Sequence, residues 1–313
     1  MIAFIFPGQG SQKVGMGMAI AEAFPEARAV FDEADAVLPD LAGGPLSRII
    51  GEGPAERLML TEHTQPAILT ASVAASRVLE ARGWHPTFLA GHSLGEYSAH
   101  CVAGTLAFGD AVRIVHRRGR YMQAAVPTGH GAMAAILGLD EVAVRQACEE
   151  GAEGDVVSPA NINGAGQIVI AGTAAAVQRT SVRAIALGAR RTVSLPVSAP
   201  FHCALMKPAE ERLAPDLRAL AVARPKIPVV ANVDAEIKRE AEEAIEALVR
   251  QVSAPVRWAE VVQRLASEGV TTYVEVGPGS VLSSLVRKIH PEATVVNFAE
   301  PDDLAAVEDA LLA

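Results

Sequence analysis

Apolar and polar positions along this chain follow two periods. Short, mainly apolar runs at Met1–Phe6, Phe88–Ala90, Ile227–Val233 and Thr272–Val276 read as strands of a sheet covered on both faces. Between them apolar residues recur at helical spacing. Pro25 suits the first turn of a helix through Phe31 and Val37, and Pro66 the first turn of one from Ile68 to Arg82, which Gly83 ends. Further helical patterns run from Gly109 to Gln123, around Ile245, Leu248 and Val249, and through Trp258, Val261, Val262 and Leu265. Strands alternating with helices imply an α/β fold with a parallel sheet and helical crossovers.

The pattern changes after Pro127-Thr128-Gly129. Ala132–Leu139 reads as a strand, Asp140–Glu150 as a helix capped by Asp140, and Val156–Ile162 as a second strand. The turn Asn163-Gly164-Ala165-Gly166 leads to a strand at Gln167–Ala171, a helix to Leu187 and a last strand at Arg191–Val197. This β-α-β-β-α-β order is that of a ferredoxin-like unit. Residues 128–198 are expected to be an inserted small subdomain, with 1–127 and 199–313 forming the large one.

Composition narrows the setting. Half of the 313 residues are hydrophobic, yet no apolar run reaches the ~18 residues of a membrane span. The N-terminal run lacks the basic flank of a signal peptide and reads as the first strand. Cys101, Cys148 and Cys203 form no Cys-x-x-Cys pair, so neither a disulfide framework nor a thiolate metal site is expected, and a reducing cytoplasm fits. A net charge of -9 argues against nucleic acid as a partner.

Candidate chemistry centres on Gly91-His92-Ser93-Leu94-Gly95-Glu96, where a strand passes through a tight turn into a helix. A serine at that apex is held in a strained conformation with its hydroxyl pushed out of the sheet, which makes Ser93 the candidate nucleophile. Pro7-Gly8-Gln9-Gly10-Ser11-Gln12, after the first strand, can present backbone N–H groups to an anion or oxyanion. It is no dinucleotide loop, because Lys13 stands where Gly-x-Gly-x-x-Gly needs its third glycine. A serine hydroxyl needs a base, and eight histidines are available. His92 neighbours Ser93 on a sharp turn and is expected to pack. His202 stands where the small unit returns the chain to the main sheet, a crossing point that lines a cleft, and competes there with a core role. In the helix from Gly109, Arg113, Arg117 and Arg120 share a solvated face, whereas Arg118 points about 100° away from Arg117.

Taken together, Gly8-Gln9-Gly10-Ser11-Gln12, Gly91 to Glu96, Arg118-Gly119 with Met122, and Phe201-His202 with Met206 resemble the malonyl-CoA:acyl carrier protein transacylases. So do Gln251 with Pro255-Val256 and Trp258, and Glu275-Val276-Gly277-Pro278-Gly279. The resemblance covers nearly the whole chain. It implies an α/β-hydrolase-like large subdomain with a ferredoxin-like insert, and transfer of malonyl from malonyl-CoA to the pantetheine thiol of acyl carrier protein through an ester on Ser93. In that scheme His202 is the base, oriented by the main-chain carbonyl of Gln251, and the backbone N–H groups of Gln9 and Leu94 form the oxyanion hole. Arg118 holds the malonyl carboxylate, Phe201 crowds an α-methyl group, and Met122 and Asn161 line the cleft. Glu275 is taken as structural. Because the carrier is acidic, Arg190, Arg191, Arg287 and Lys288 are candidates for its docking face. No cofactor and no metal are implied, and a monomer is expected. A serine hydrolase would share Ser93 and His202 but have no use for Arg118, and a non-catalytic carrier-docking subunit would need neither Ser93 nor His202.

Overall fold

The computed structural model describes residues 1–41 and 44–312. In chain order the strands are β1 (Ile2–Phe6), β2 (Phe88–Gly91), β3 (Gly131–Leu137), β4 (Val157–Gly164), β5 (Gln167–Thr173), β6 (Arg191–Ser194), β7 (Val229–Val230), β8 (Ile237–Lys238), β9 (Thr272–Val276) and β10 (Thr294–Phe298). The larger sheet has the order β10-β9-β1-β2-β7-β8, parallel except for the β7–β8 hairpin. Its central strand β1 buries both faces. Phe4 and Phe6 enter one apolar core with the helix Thr61–Ala81, while Ala3 and Ile5 enter another with Trp258 and Val261, as the two-residue period of a strand requires.

The second sheet is antiparallel with the order β4-β5-β3-β6, and the helices Glu141–Ala152 and Ala174–Ala186 supply the apolar cluster on its face. This is the ferredoxin-like arrangement expected from the pattern. Asp140 caps the first of these helices, its Oδ1 accepting from Ala143 N at 2.8 Å. The turn residues Gly164, Ala165 and Gly166 all take positive φ.

Several elements differ from the expectation for physical reasons. Pro66 does not open its helix, which begins at Thr61. A proline there leaves the carbonyl four residues back without its donor. That carbonyl belongs to Glu62, and His116 Nδ1 lies 2.9 Å from it, so a side chain from the helix Phe108–Ala124 serves the vacancy. The helix does end as expected: Gly83 takes φ 81°, and Trp84 N donates to Leu79 O at 3.0 Å. The run Ile227–Val233 pairs only at Val229–Val230, because the backbone then turns back into β8. The run from Arg191 leaves the sheet after Ser194, and Leu195 to Val197 line a cleft instead. Strand β10 has no counterpart in the pattern reading above. Among the described residues no helix is long and apolar enough to cross a membrane.

Candidate active site

The turn between β2 and the helix Leu94–Val102 holds Ser93 at φ 52°, ψ -103°, a conformation L-residues rarely adopt. Two glycines make the turn possible. A Cβ on Gly91 would lie 2.0 Å from the Gly95 carbonyl, and one on Gly95 would lie 2.0 Å from Phe6 O. The strain is held from outside by Asn232, just past β7. Its Oδ1 accepts from Ser93 N at 2.7 Å and its Nδ2 donates to Gly91 O at 2.7 Å, so one amide pins both sides of the turn.

His202 also takes a positive φ, 60°, in the segment that returns the chain from the second sheet. Its Nε2 lies 2.7 Å from Ser93 Oγ and its Nδ1 2.9 Å from the main-chain oxygen of Gln251. A carbonyl oxygen can only accept, so Nδ1 carries the proton and the Nε2 lone pair faces the serine hydroxyl. Burial, and then the nearby Arg118 charge, push the imidazole pKa down to about 3. The ring is therefore neutral and able to take a proton.

Arg118 sits on the helix Phe108–Ala124, and the rotation expected from helical geometry is what separates it from its neighbours. Arg113, Arg117 and Arg120 are exposed, with Asp110, Asp216 and Glu62 as their ion-pair partners. Arg118 is 1% exposed. Its Nη2 donates to Ser93 Oγ at 3.1 Å and to Gln251 Oε1 at 2.9 Å, its Nη1 to Gln65 Oε1 at 2.9 Å, and its Nε has no partner. Among the described residues no carboxylate forms an ion pair with it. A buried guanidinium in this state lacks the counterion that would offset its desolvation.

The remaining residues complete a cavity of about 850 Å³ lined by Gln9, Ser93, Arg118, Met122, Asn161, Phe201 and His202. The Leu94 side chain lies in the core, but its backbone N–H, at the first helical position, can have no intrahelical acceptor. Neither that N–H nor the one of Gln9 donates to another group among the described residues. Met122 lies beneath Gln65, with Sδ 3.8 Å from its Nε2. Asn161 sits in a bulge of β4 that also bridges to the larger unit, Ile162 N donating to Val256 O and Val256 N to Ala160 O. His92 packs against Trp258 and bonds Asn163, and it also borders the cavity.

Glu275 is placed elsewhere. Its carboxylate accepts from Leu282 N, Ser283 N and Asn297 Nδ2, capping the helix Val281–Ile289. Arg190 and Arg191 are exposed at the start of β6, and Arg287 and Lys288 in the last turn of that capped helix. The two pairs lie on either side of the β4–β5 turn, where Gly164 packs against Ile289 and Gly138 against Arg190. None of the four forms an ion pair among the described residues. No cluster of His, Cys, Asp or Glu among the described residues is placed to hold a metal ion.

Pattern reading missed Gln65, Glu96 and Asn232 as parts of this network. Asn232 had a usable signal, since it follows a parallel strand at its carboxyl end, where α/β sheets place their sites. Gln65 had none, because its position in the middle of a helix depended on where that helix began.

An arrangement of this kind suits acyl transfer through a serine ester, and relatives narrow the class. Residues 3–309 match the family model of the acyl transferase domain. The malonyl CoA-acyl carrier protein transacylase of Escherichia coli K12 is 50% identical over 305 residues, 97% of each chain. The solved structure of the Coxiella burnetii malonyl CoA-acyl carrier protein transacylase superposes with a TM-score of 0.95 at 41% identity, covering 99% of this chain and 98% of that one. A malonyl-transacylase solved in complex with its type II PKS acyl-carrier protein gives 0.94 at 45% identity, covering 98% and 99%. The chain belongs to the acyl transferase family, with the malonyl CoA-acyl carrier protein transacylases.

Proposed function

We propose that this protein transfers malonyl from malonyl-CoA to the phosphopantetheine thiol of acyl carrier protein, supplying the extender unit of fatty acid synthesis. The observation that carries the reading is Arg118: a buried cation with no carboxylate partner among the described residues, 3.1 Å from the hydroxyl of a strained serine. A malonyl group ends in the missing anion, and a guanidinium can hold it through paired charge-assisted bonds. Acetyl would leave the cation stranded, at a cost of about 3–5 kcal/mol.

The steps balance. Ser93 Oγ attacks the thioester carbon as its proton passes to His202 Nε2, and the tetrahedral oxyanion is met by Gln9 N and Leu94 N. Collapse breaks the carbon–sulfur bond, and the proton leaves with the CoA thiolate. The carrier thiol then gives its proton to His202, attacks the malonyl ester and restores the Ser93 hydroxyl. Arg118 works on reactivity as well as binding: its charge lowers the basicity of His202, and a bound carboxylate offsets that charge as the imidazolium forms. Phe201, buried beside the base, leaves little space for an α-methyl group. No cofactor beyond the thioester is required.

Arg190, Arg191, Arg287 and Lys288 form the docking face for an acidic carrier, supported by their exposure and by the lack of an ion pair to any of them among the described residues. We take the catalytic subdomain to be 1–127 with 199–313, the insert to be 128–198, and the enzyme to be a cytoplasmic monomer. Mass spectrometry of the intact protein mixed with equal malonyl-CoA and acetyl-CoA tests the reading. A malonyl adduct on Ser93, discharged by carrier protein, is expected; acetylation at an equal rate would overturn it.

A further inference from the structure

Below the reacting groups lies a carboxyl group that the scheme above does not use. Glu96, three residues past the nucleophile, has no exposed surface. Its Oε2 accepts from Gln251 Nε2 at 2.7 Å and from Asn232 N at 3.0 Å, while Oε1 has no partner. These two donors belong to the residues on which the site hangs. Gln251 gives its main-chain oxygen to His202 and its Oε1 to Arg118, and its Nε2 also donates to Ser93 O at 2.9 Å. Asn232 pins the Ser93 turn from both sides. An amide side chain can turn over, exchanging acceptor for donor, and such a flip of Gln251 would be ruinous here, because its NH₂ would face the Arg118 guanidinium. Asn232 is held through its backbone N–H, which fixes the point from which its side chain reaches the Ser93 turn.

We infer that Glu96 is the positioning residue of this site: one buried oxygen, by accepting from Gln251 and Asn232, fixes the imidazole, the guanidinium and the serine backbone together. The inference concerns the chain's own geometry and rests on the malonyl reading only where acyl preference is measured. Burial, which raises the Glu96 pKa to about 7, does not remove the role, since a neutral carboxyl still offers an accepting oxygen. Glu96→Gln keeps such an oxygen and should retain activity within about threefold. Glu96→Ala removes it and should lower the rate of Ser93 acylation about 100-fold, the scale expected when reacting groups drift by an ångström.

The test reads two quantities on folded protein well below its unfolding temperature. One is the rate at which a fluorophosphonate, which carries no carboxylate, labels Ser93; the other is the ratio of malonyl to acetyl transfer. Glu96→Ala should depress both, whereas a merely structural loss would leave the ratio of the folded fraction unmoved. If Glu96→Ala does not fold, Glu96→Asp retracts the oxygen by one methylene and should show the same two losses, about 10-fold in labelling. Unchanged labelling and ratio in a folded variant, or a Glu96→Gln protein as impaired as Glu96→Ala, would overturn the inference. A wild-type protein without malonyl preference would sink the malonyl reading alone, and the labelling arm would still decide the role of Glu96.

Discussion

Two strand-to-helix junctions of the same sheet make an instructive pair. After β2 the chain turns through Gly91-His92-Ser93-Leu94-Gly95-Glu96, and after β9 through Gly277-Pro278-Gly279-Ser280. At the second junction the positive φ values fall on glycines, 123° at Gly277 and 87° at Gly279, and Ser280 keeps a negative φ of -149°. At the first, the glycines serve only to let backbones pass, and the left-handed residue is the serine itself. Their glutamates diverge in the same way. Glu275 spends both oxygens closing a helix end, whereas Glu96 spends one on the Gln251 amide and the Asn232 backbone N–H, in the two residues that hold the reacting groups. Similar local architecture thus yields a structural joint in one place and a strained, externally braced apex in the other.

The contrast is sharpest at the serines. Ser93→Ala should abolish the malonyl adduct and lower transfer by about 10⁴-fold or more, while Ser280→Ala should stay within about twofold, both read by intact mass and transfer rate. Arg118→Ala should cost malonyl transfer about 10²–10³-fold and erase the preference over acetyl. Arg118→Lys should recover only part of this, since the charge returns without the planar fork. Gly95→Ala places a methyl against the Phe6 carbonyl and should destabilise by about 3 kcal/mol or more in urea unfolding. Gly279→Ala meets only the Ser11 side chain at 3.2 Å, so it should cost about 1–2 kcal/mol for its φ alone.

The last effects are those of pH on stability. Burial pushes His100 and His202 down to about 3 from 6.5, so the stability of keeping them neutral is full above pH 6.5 and is lost as pH falls toward 3. Glu96, raised from 4.5 to about 7, works in the opposite sense: its contribution is full below pH 4.5 and is lost as pH rises through 7. Glu96→Gln should therefore flatten the neutral side of a urea-midpoint profile and leave the acid side unchanged.

Much of this was legible in the residues. The alternation of apolar periods pointed to both sheets, and the spacing of Arg117 and Arg118 was enough to turn them toward different environments, because a helix rotates its residues by a fixed angle; that Arg118 enters the cleft was implied by the family resemblance. Pro66 misled, since proline marks a helix start only when no other donor serves the freed carbonyl, and His116 lies 50 residues further along the chain. Gln65 and the side chain of Gln251 were silent for a related reason. Each acts through one long-range hydrogen bond or a few, and such bonds leave no periodic trace.

The backbone bridge between Val256 and the bulge of β4 joins the two walls of the cleft a few residues beyond Gln251. Any jaw-like opening of those walls would have to break these bonds and would drag the carbonyl that steadies the imidazole. With the walls tied together at this point, discrimination among acyl groups rests on what fits and is paired at the bottom of the cleft.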